Sequence, residues 1–172
     1  MTEAAQTGPA KAAPHVPRWL VRTIWLVHRA VYRITGGRVG LRTANDHRWG
    51  MLRLTTVGRR TGRERVAIVG FISDGTNVVI PAMNGWADPE PAWWLNLQAN
   101  PDATVELPDG PRWVRARAAI GDERERLWAS FVALGSAAFN DANAALRSRE
   151  TALVVLEPRL NNAAPPDPGD AA

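Results

Sequence analysis

The sequence predicts a mainly β protein, a small, partly open β-barrel with peripheral helices. Three observations lead there. Six apolar runs of strand length lie between residues 52 and 156, each bounded by turn formers. Two pairs of runs are joined by short reversals, Asp74-Gly75-Thr76-Asn77 and Pro108-Asp109-Gly110-Pro111, where glycine and proline supply backbone angles that a tight turn needs. There is no GxGxxG motif and no regular strand–helix alternation, which argues against a dinucleotide-binding α/β fold. A chain of 172 residues is long enough for one domain with a sizeable core.

Residues 1–16 are Ala, Pro and polar residues without periodicity and are expected to be disordered. The single domain is expected over 17–160. Its first element is a helix at 17–35, PRWLVRTIWLVHRAVYRIT, opened by Pro17 and stopped by Gly36-Gly37. On a helical wheel Arg18, Arg22, Arg29 and Arg33 fall within about 60° of arc. Leu20, Val21, Ile24, Val27 and Val31 lie opposite, flanked by Trp19, Trp25 and Tyr32. Two readings stay open: an apolar face packed on the domain, or a helix lying on an anionic membrane surface. The segment is too short and too charged to span a bilayer, and it lacks a signal-peptide layout. A cytoplasmic protein is expected, with peripheral contact at the inner face of the cell membrane under the second reading.

Leu52–Val57 is the first strand. Arg65–Ile72 is nearly continuously apolar, which predicts a strand buried on both faces. Val78–Ala82 follows the Asp74–Asn77 reversal. Residues 83–91 form a loop, and Pro91 opens a short helix, PAWWLNLQAN, ended by Asn100-Pro101. Thr104–Leu107 pairs with Arg112–Ala118, where Val114, Ala116 and Ala118 alternate with Trp113, Arg115 and Arg117, the pattern of a half-buried strand. A helix of about two dozen residues begins at Asp122, with a break near Gly135. Ala152–Leu156 closes the sheet, and residues 161–172 are expected to be a disordered tail.

Composition removes several chemistries. With no cysteine, disulfides and thiolate catalysis are excluded. The three histidines, His15, His28 and His47, show no paired metal-ligand spacing, so a zinc or non-haem iron site is not expected. Charge is segregated. Residues 11–65 carry 13 basic and 2 acidic side chains, whereas residues 66–172 carry 8 basic and 14 acidic ones. An anionic cofactor, an anionic membrane and nucleic acid all fit a basic front third. The eight tryptophans are spread between core-like and helical positions, so nucleic acid is not expected as a partner.

The densest charge lies in LRLTTVGRRTGRER, residues 52–65. Arg59, Arg60, Arg63 and Arg65 fall within seven residues, offset only by Glu64, between Gly58 and Gly62 and the next strand. Guanidinium forks suit phosphate or carboxylate oxygens. The residues alone leave an anion-binding turn and a solvated basic hairpin tip as alternatives.

Four blocks in order, TTVGRRTGRER, the Asp74-Gly75 hairpin, Met83-Asn84-Gly85 and PAWWLNLQANP, followed by GDERERLW, resemble the deazaflavin-dependent nitroreductase family of actinobacteria. The resemblance covers about residues 50–130. It implies a split β-barrel, like the FMN-binding split barrel, that binds the 8-hydroxy-5-deazaflavin coenzyme F-420. The implied activity is hydride transfer to an organic acceptor. Arg59, Arg60, Thr61 and Arg65 match the positions for the cofactor's phosphodiester and oligoglutamate tail. Backbone of Val66, Ala67, Ile68, Val69 and Gly70, and of Pro81, Ala82, Met83 and Asn84, would flank the ring. Ala92, Trp93, Trp94, Leu95 and Asn96 would complete the pocket, with one tryptophan on the pocket wall and the other in the core. Asn96 would offer its amide to the ring edge, and Leu95 and Leu97 read as core.

The sequence departs from the nitroimidazole-activating members. Gly135, Ala138 and Asp141 stand where those enzymes present tyrosines, and Met83-Asn84 replaces a Ser-Lys pair. Met83, Ala138 and Phe139 are then the acceptor-site candidates. The expected acceptor is more lipophilic, such as a quinone. The other reading the resemblance leaves open is a non-catalytic protein that binds deazaflavin, flavin or lipid.

Overall fold

The computed structural model describes residues 41–83, 89–134 and 149–159, all within the compact unit Gly37–Ala172. The expected helix at 17–35, both expected tails, the break near Gly135, and Asn84, Ala138 and Phe139 lie outside the described residues.

Among the described residues six strands and two helices follow in order: β1 (Gly50–Val57), β2 (Glu64–Asp74), β3 (Asn77–Pro81), α1 (Ala92–Ala99), β4 (Asp102–Leu107), β5 (Gly110–Ala118), α2 (Gly121–Ala133) and β6 (Leu153–Pro158). All pairings are antiparallel. The ladder runs β1-β2-β3-β6-β5-β4 and returns to β1. The ring therefore closes, where a partly open barrel was expected. Closure comes from β1 pairing with both β2 and β4. The β2–β3 reversal is the two-residue turn Gly75-Thr76, with φ 62° at Gly75 and no positive φ at a non-glycine residue. Positive φ at the first central residue alone is the type II′ arrangement, whose twist matches that of the strands.

Alternation sets the interior. In β1, Leu52, Leu54 and Thr56 are buried while the residues between them are not. With Phe71, Val78, Ile80, Val105, Leu107, Val114, Val154 and Leu156, Leu52 and Leu54 form the barrel core. Helix α1 adds Trp93, Trp94 and Leu97 to it. A second core lies on the other face of β3 and β6, where Val79, Leu153 and Val155 meet Leu127 and Phe131 of α2. Phe131 also meets Trp49 edge-on, with ring centroids 5.1 Å apart. Strands β3 and β6 are thus the ones buried on both faces.

Strand β2 is not, contrary to expectation. Arg65 and Val66 are exposed and Ala67 to Gly70 half-buried. Its run VAIVGFI is apolar on both faces, but only Phe71 and Ile72, near the β3 end, are covered. Hydrophobic runs register apolar side chains, not what lies against them. In β5, Val114 and Ala116 are buried as expected, but Ala118 is exposed because the strand runs out there. Gly50 stands opposite Phe71 in the β1–β2 register. An added Cβ would lie 2.2 Å from the Phe71 ring and 2.8 Å from the Ala44 amide nitrogen, so only glycine fits this crossing.

Charged contacts fasten α2 to the barrel. Arg117 of β5 donates to both carboxylate oxygens of Glu123 at 2.6 and 2.8 Å and to Glu157 of β6 at 2.7 Å. Arg126 of α2 donates to both oxygens of Asp74 at 2.7 and 2.9 Å. These hydrogen bonds hold the Glu123 and Asp74 carboxyls below their ordinary pKa values. Arg117 is 41% exposed, so Arg117→Ala should cost at most about 1 kcal/mol at neutral pH. Because folded-state values are depressed, the stabilisation is full above the ordinary carboxylate range and is lost as pH falls through the folded values. Urea unfolding at about pH 7 and about pH 3 should show the gap between wild type and Arg117→Ala shrinking at the lower pH. A constant gap would disprove the coupling.

Candidate functional site

The basic turn is a six-residue connection, Gly58–Arg63, between Val57 and Glu64, the last pair of the β1–β2 ladder. The Gly58 amide donates to the Arg63 carbonyl at 2.8 Å, and the Gly58 carbonyl accepts from Thr61 at 3.1 Å and Gly62 at 2.8 Å. The segment is thus a single helical turn set into a hairpin. Gly62 has φ 64°, in the left-handed region that favours glycine. Gly58 is needed for another reason: an added Cβ would lie 2.9 Å from the Arg63 carbonyl oxygen and 3.2 Å from Thr61 Oγ1. Thr61 Oγ1 accepts from the Arg63 amide and the Arg65 guanidinium, each at 3.4 Å.

Helix α1 packs on β1 and β2 and is tied to the turn by one buried side chain. The Asn96 carboxamide, 4% exposed, accepts from the Arg59 amide through Oδ1 and donates through Nδ2 to Thr56 Oγ1, both at 3.2 Å. The Thr56 hydroxyl in turn donates to the Arg65 carbonyl at 3.4 Å. The amide expected at a ring edge is therefore engaged with both limbs of the basic turn. An Arg59 N–H can only donate, which fixes the carboxamide orientation.

Electrostatics sets this turn apart. Arg53, Arg112, Arg115, Arg117, Arg124, Arg126 and Arg159 each pair with a carboxylate. Arg59, Arg60, Arg63 and Arg65 are exposed, and among the described residues none has a carboxylate partner. The amide of Arg60 is also unengaged among the described residues, while its neighbours in the turn donate to partners. Three guanidinia and one amide on the loop, with the Arg65 guanidinium at the start of β2 bound only to Thr61, thus remain as donors among the described residues. Arginine forks and a free amide can hold phosphate or carboxylate oxygens.

Beyond the turn, β2 pairs with β1 along its length but with β3 only from Ile72 to Asp74. Among the described residues, no strand pairs with the outer edge of Val66, Ala67, Ile68, Val69 and Gly70. The predicted ring-flanking backbone is thus an available hydrogen-bonding edge beginning at the basic turn. The second predicted backbone segment is anchored instead: the Ala82 amide donates to the Ala152 carbonyl at 2.8 Å, and the Ala82 carbonyl accepts from Arg149 at 3.2 Å. Pro81 and Ala82 are buried, and Met83 packs half-buried against the second core.

On α1, Ala92 is exposed and Leu95 half-buried. Trp93 and Trp94 were expected to divide between pocket and core, yet both belong to the barrel core, at 8% and 7% exposed. An eight-residue helix pressed across the barrel end offers adjacent positions to the same wide core. An open depression of about 470 Å³ lies elsewhere, lined by residues that include Ile120, Arg124, Glu150 and Ala152, and touches none of the predicted site residues.

Thr56 was missed. A threonine at an inward-facing position after Leu52 and Leu54 was a readable signal, because a buried hydroxyl needs a partner. Gly58→Ala should destabilise the protein by about 1–3 kcal/mol, the usual range for overpacking, and deprotect the Thr61 and Gly62 amides in hydrogen exchange. An unchanged exchange pattern would refute the close-packed turn.

Comparison with known proteins places this arrangement among relatives. The profile described as F420H(2)-dependent quinone reductase matches residues 25–158. An F420H(2)-dependent quinone reductase of Mycobacterium tuberculosis is 36% identical over 101 residues, 56% of this chain and 65% of that one. The chain spans just under two thirds of the length of the curated relatives it matches. The solved structure of an F420-H2 dependent reductase shares 23% identity at a TM-score of 0.56, covering 62% of this chain and 93% of that one. A domain-swapped dimer shares 22% identity at a TM-score of 0.57, covering 79% and 99%. At these identities the two structures establish a common fold.

Proposed function

The chain belongs to the F420H(2)-dependent quinone reductase family, and from that premise we propose that it is an oxidoreductase that uses reduced coenzyme F-420 to reduce a quinone or another lipophilic conjugated acceptor. The observation that carries this reading is the cluster of four exposed arginines within seven residues that, among the described residues, have no carboxylate partner, beside an Arg60 amide likewise unengaged there. The cofactor is strongly anionic along its phosphodiester and glutamates, so the residues present fit it.

Arg59, Arg60 and Arg65 would hold the phosphodiester and tail, with Thr61 supporting Arg65 through the bond between them. The outer edge of Val66–Gly70 presents N–H and C=O groups in alternation, suited to the polar edge of a deazaflavin. Pro81–Met83, pinned through Ala82, would limit the ring's position, and Ala92 would border it. When bound, the reduced deazaflavin supplies a hydride to the acceptor, and water or a hydroxyl supplies the proton. The chain's own contribution is binding and orientation.

The acceptor reading rests on sequence: GSAAFNDANAAL has no tyrosine, so an apolar acceptor site around Met83, Ala138 and Phe139 is favoured over nitroimidazole reduction. Among the described residues no helix is long and apolar enough to cross a membrane. A cytoplasmic protein whose helix 17–35 rests its arginines on anionic lipid would meet a membrane-resident quinone, and this is part of the proposal.

Titration of the protein with coenzyme F-420 and with FMN, followed by tryptophan quenching, tests the cofactor. F-420 should bind in preference, and Arg60→Ala and Arg65→Ala should each weaken it by about tenfold, with wild-type affinity falling as salt rises. FMN preference would overturn the assignment. Menadione reduction with reduced cofactor should proceed; tight F-420 binding without turnover would instead identify a carrier.

A further inference from the structure

We infer that Asn96 is the positioning residue of the anion clamp, acting through the turn and not by touching the cofactor ring. The inference rests on the F-420 reading above and deepens it.

The basic turn begins like a helix, and its first amides have no partner within the turn. One of them, from Arg59, is taken by Asn96 Oδ1. The other, from Arg60, is left beside the guanidinia. The same carboxamide reaches Thr56, and Thr56 reaches the Arg65 carbonyl. Asn96 thus holds the entering limb at Arg59 directly and the leaving limb at Arg65 through one hydroxyl. The two limbs carry the residues assigned to the phosphodiester and tail.

The bridge is rigid because of where it sits. Asn96 and Thr56 are 4% and 2% exposed, and Trp93, Trp94 and Leu97 on the same short helix are fixed in the barrel core. Water cannot readily replace the bonds, and a buried polar group that loses its partner carries a desolvation penalty. Exposed arginines on a glycine-flanked loop have many rotamers and lose them on binding. Fixing both limbs of the backbone removes the separate cost of ordering the loop itself before the anion arrives.

This role separates from a ring contact by ligand. The probes are intact coenzyme F-420 and the deazaflavin chromophore lacking the phosphodiester and glutamates, titrated by tryptophan quenching. Asn96→Leu should weaken intact F-420 by about tenfold and leave the truncated chromophore unchanged. Combined with Arg60→Ala, it should cost less than the product of the two separate losses, because both act on one clamp. Thr56→Val cuts only the branch to Arg65 and should give a smaller, tail-dependent loss. If Asn96→Leu does not fold, Thr56→Val carries the test.

A readout without cofactor is the hydrogen exchange of the Arg59 amide, which should be protected in wild type and in Thr56→Val and fast in Asn96→Leu. Equal losses for both ligands would mean a ring contact or general damage and would overturn the inference. So would unchanged F-420 affinity in the variants. If wild type binds neither probe, the F-420 reading itself fails, whereas a fast-exchanging Arg59 amide in wild type would refute the bridge alone.

Discussion

A single buried carboxamide joins the two halves of this design. The barrel interior is apolar, and a polar group there is tolerable only when its hydrogen bonds are made. Asn96 makes them with Arg59 and Thr56, and by doing so couples a helix seated in the core to an exposed cluster of charge. The order of events in the fold follows from that constraint. Trp93, Trp94 and Leu97 seat α1 against the barrel core, seating places Asn96 against β1, and the turn must then pass close enough to donate. Gly58 and Gly62 let it do so without a clash. The four arginines have nowhere to go but outward.

The barrel owes its two cores to the strands that separate them. β3 and β6 are apolar on both faces, and their side chains alternate between the interior and the α2 side. Helix α2 needs this arrangement, because it presents only Leu127 and Phe131 as buried contacts. Its other attachments include the ion pairs Arg117–Glu123, Arg126–Asp74 and Arg124–Glu150, which reach β5, the β2–β3 hairpin and the residue before Thr151. These exposed pairs set orientation more than stability.

How much of this was legible follows from the range of each interaction. The six strands, both tight reversals and α1 with its Pro91 and Asn100 limits came from local chemistry, and the structure has them within a few residues. The arginine turn was equally local. What sequence reading got wrong or left unseen was long-range. The cover over β2 and the shared burial of Trp93 and Trp94 differ from expectation, and the partners of Asn96 were not foreseen, because each depends on which elements meet. Asn96 reaches a residue 40 positions away, a separation that no periodicity encodes. β2 is apolar like β6, and only the fold decides that β6 is covered and much of β2 is not.

The uncovered part of β2 has a consequence for handling and for the cell. An apolar segment of high β propensity with one unpaired edge is a template for adding another strand. Here Arg63 and Arg65 stand at its head and, with Arg59 and Arg60, surround the approach with positive charge that Glu64 offsets only in part. Charges so placed beside an apolar strand disfavour self-association. An anion seated on the turn, as proposed above, would neutralise part of that guard. On that reading the bound protein stays as dispersed as the free one only where the ligand also shields the edge.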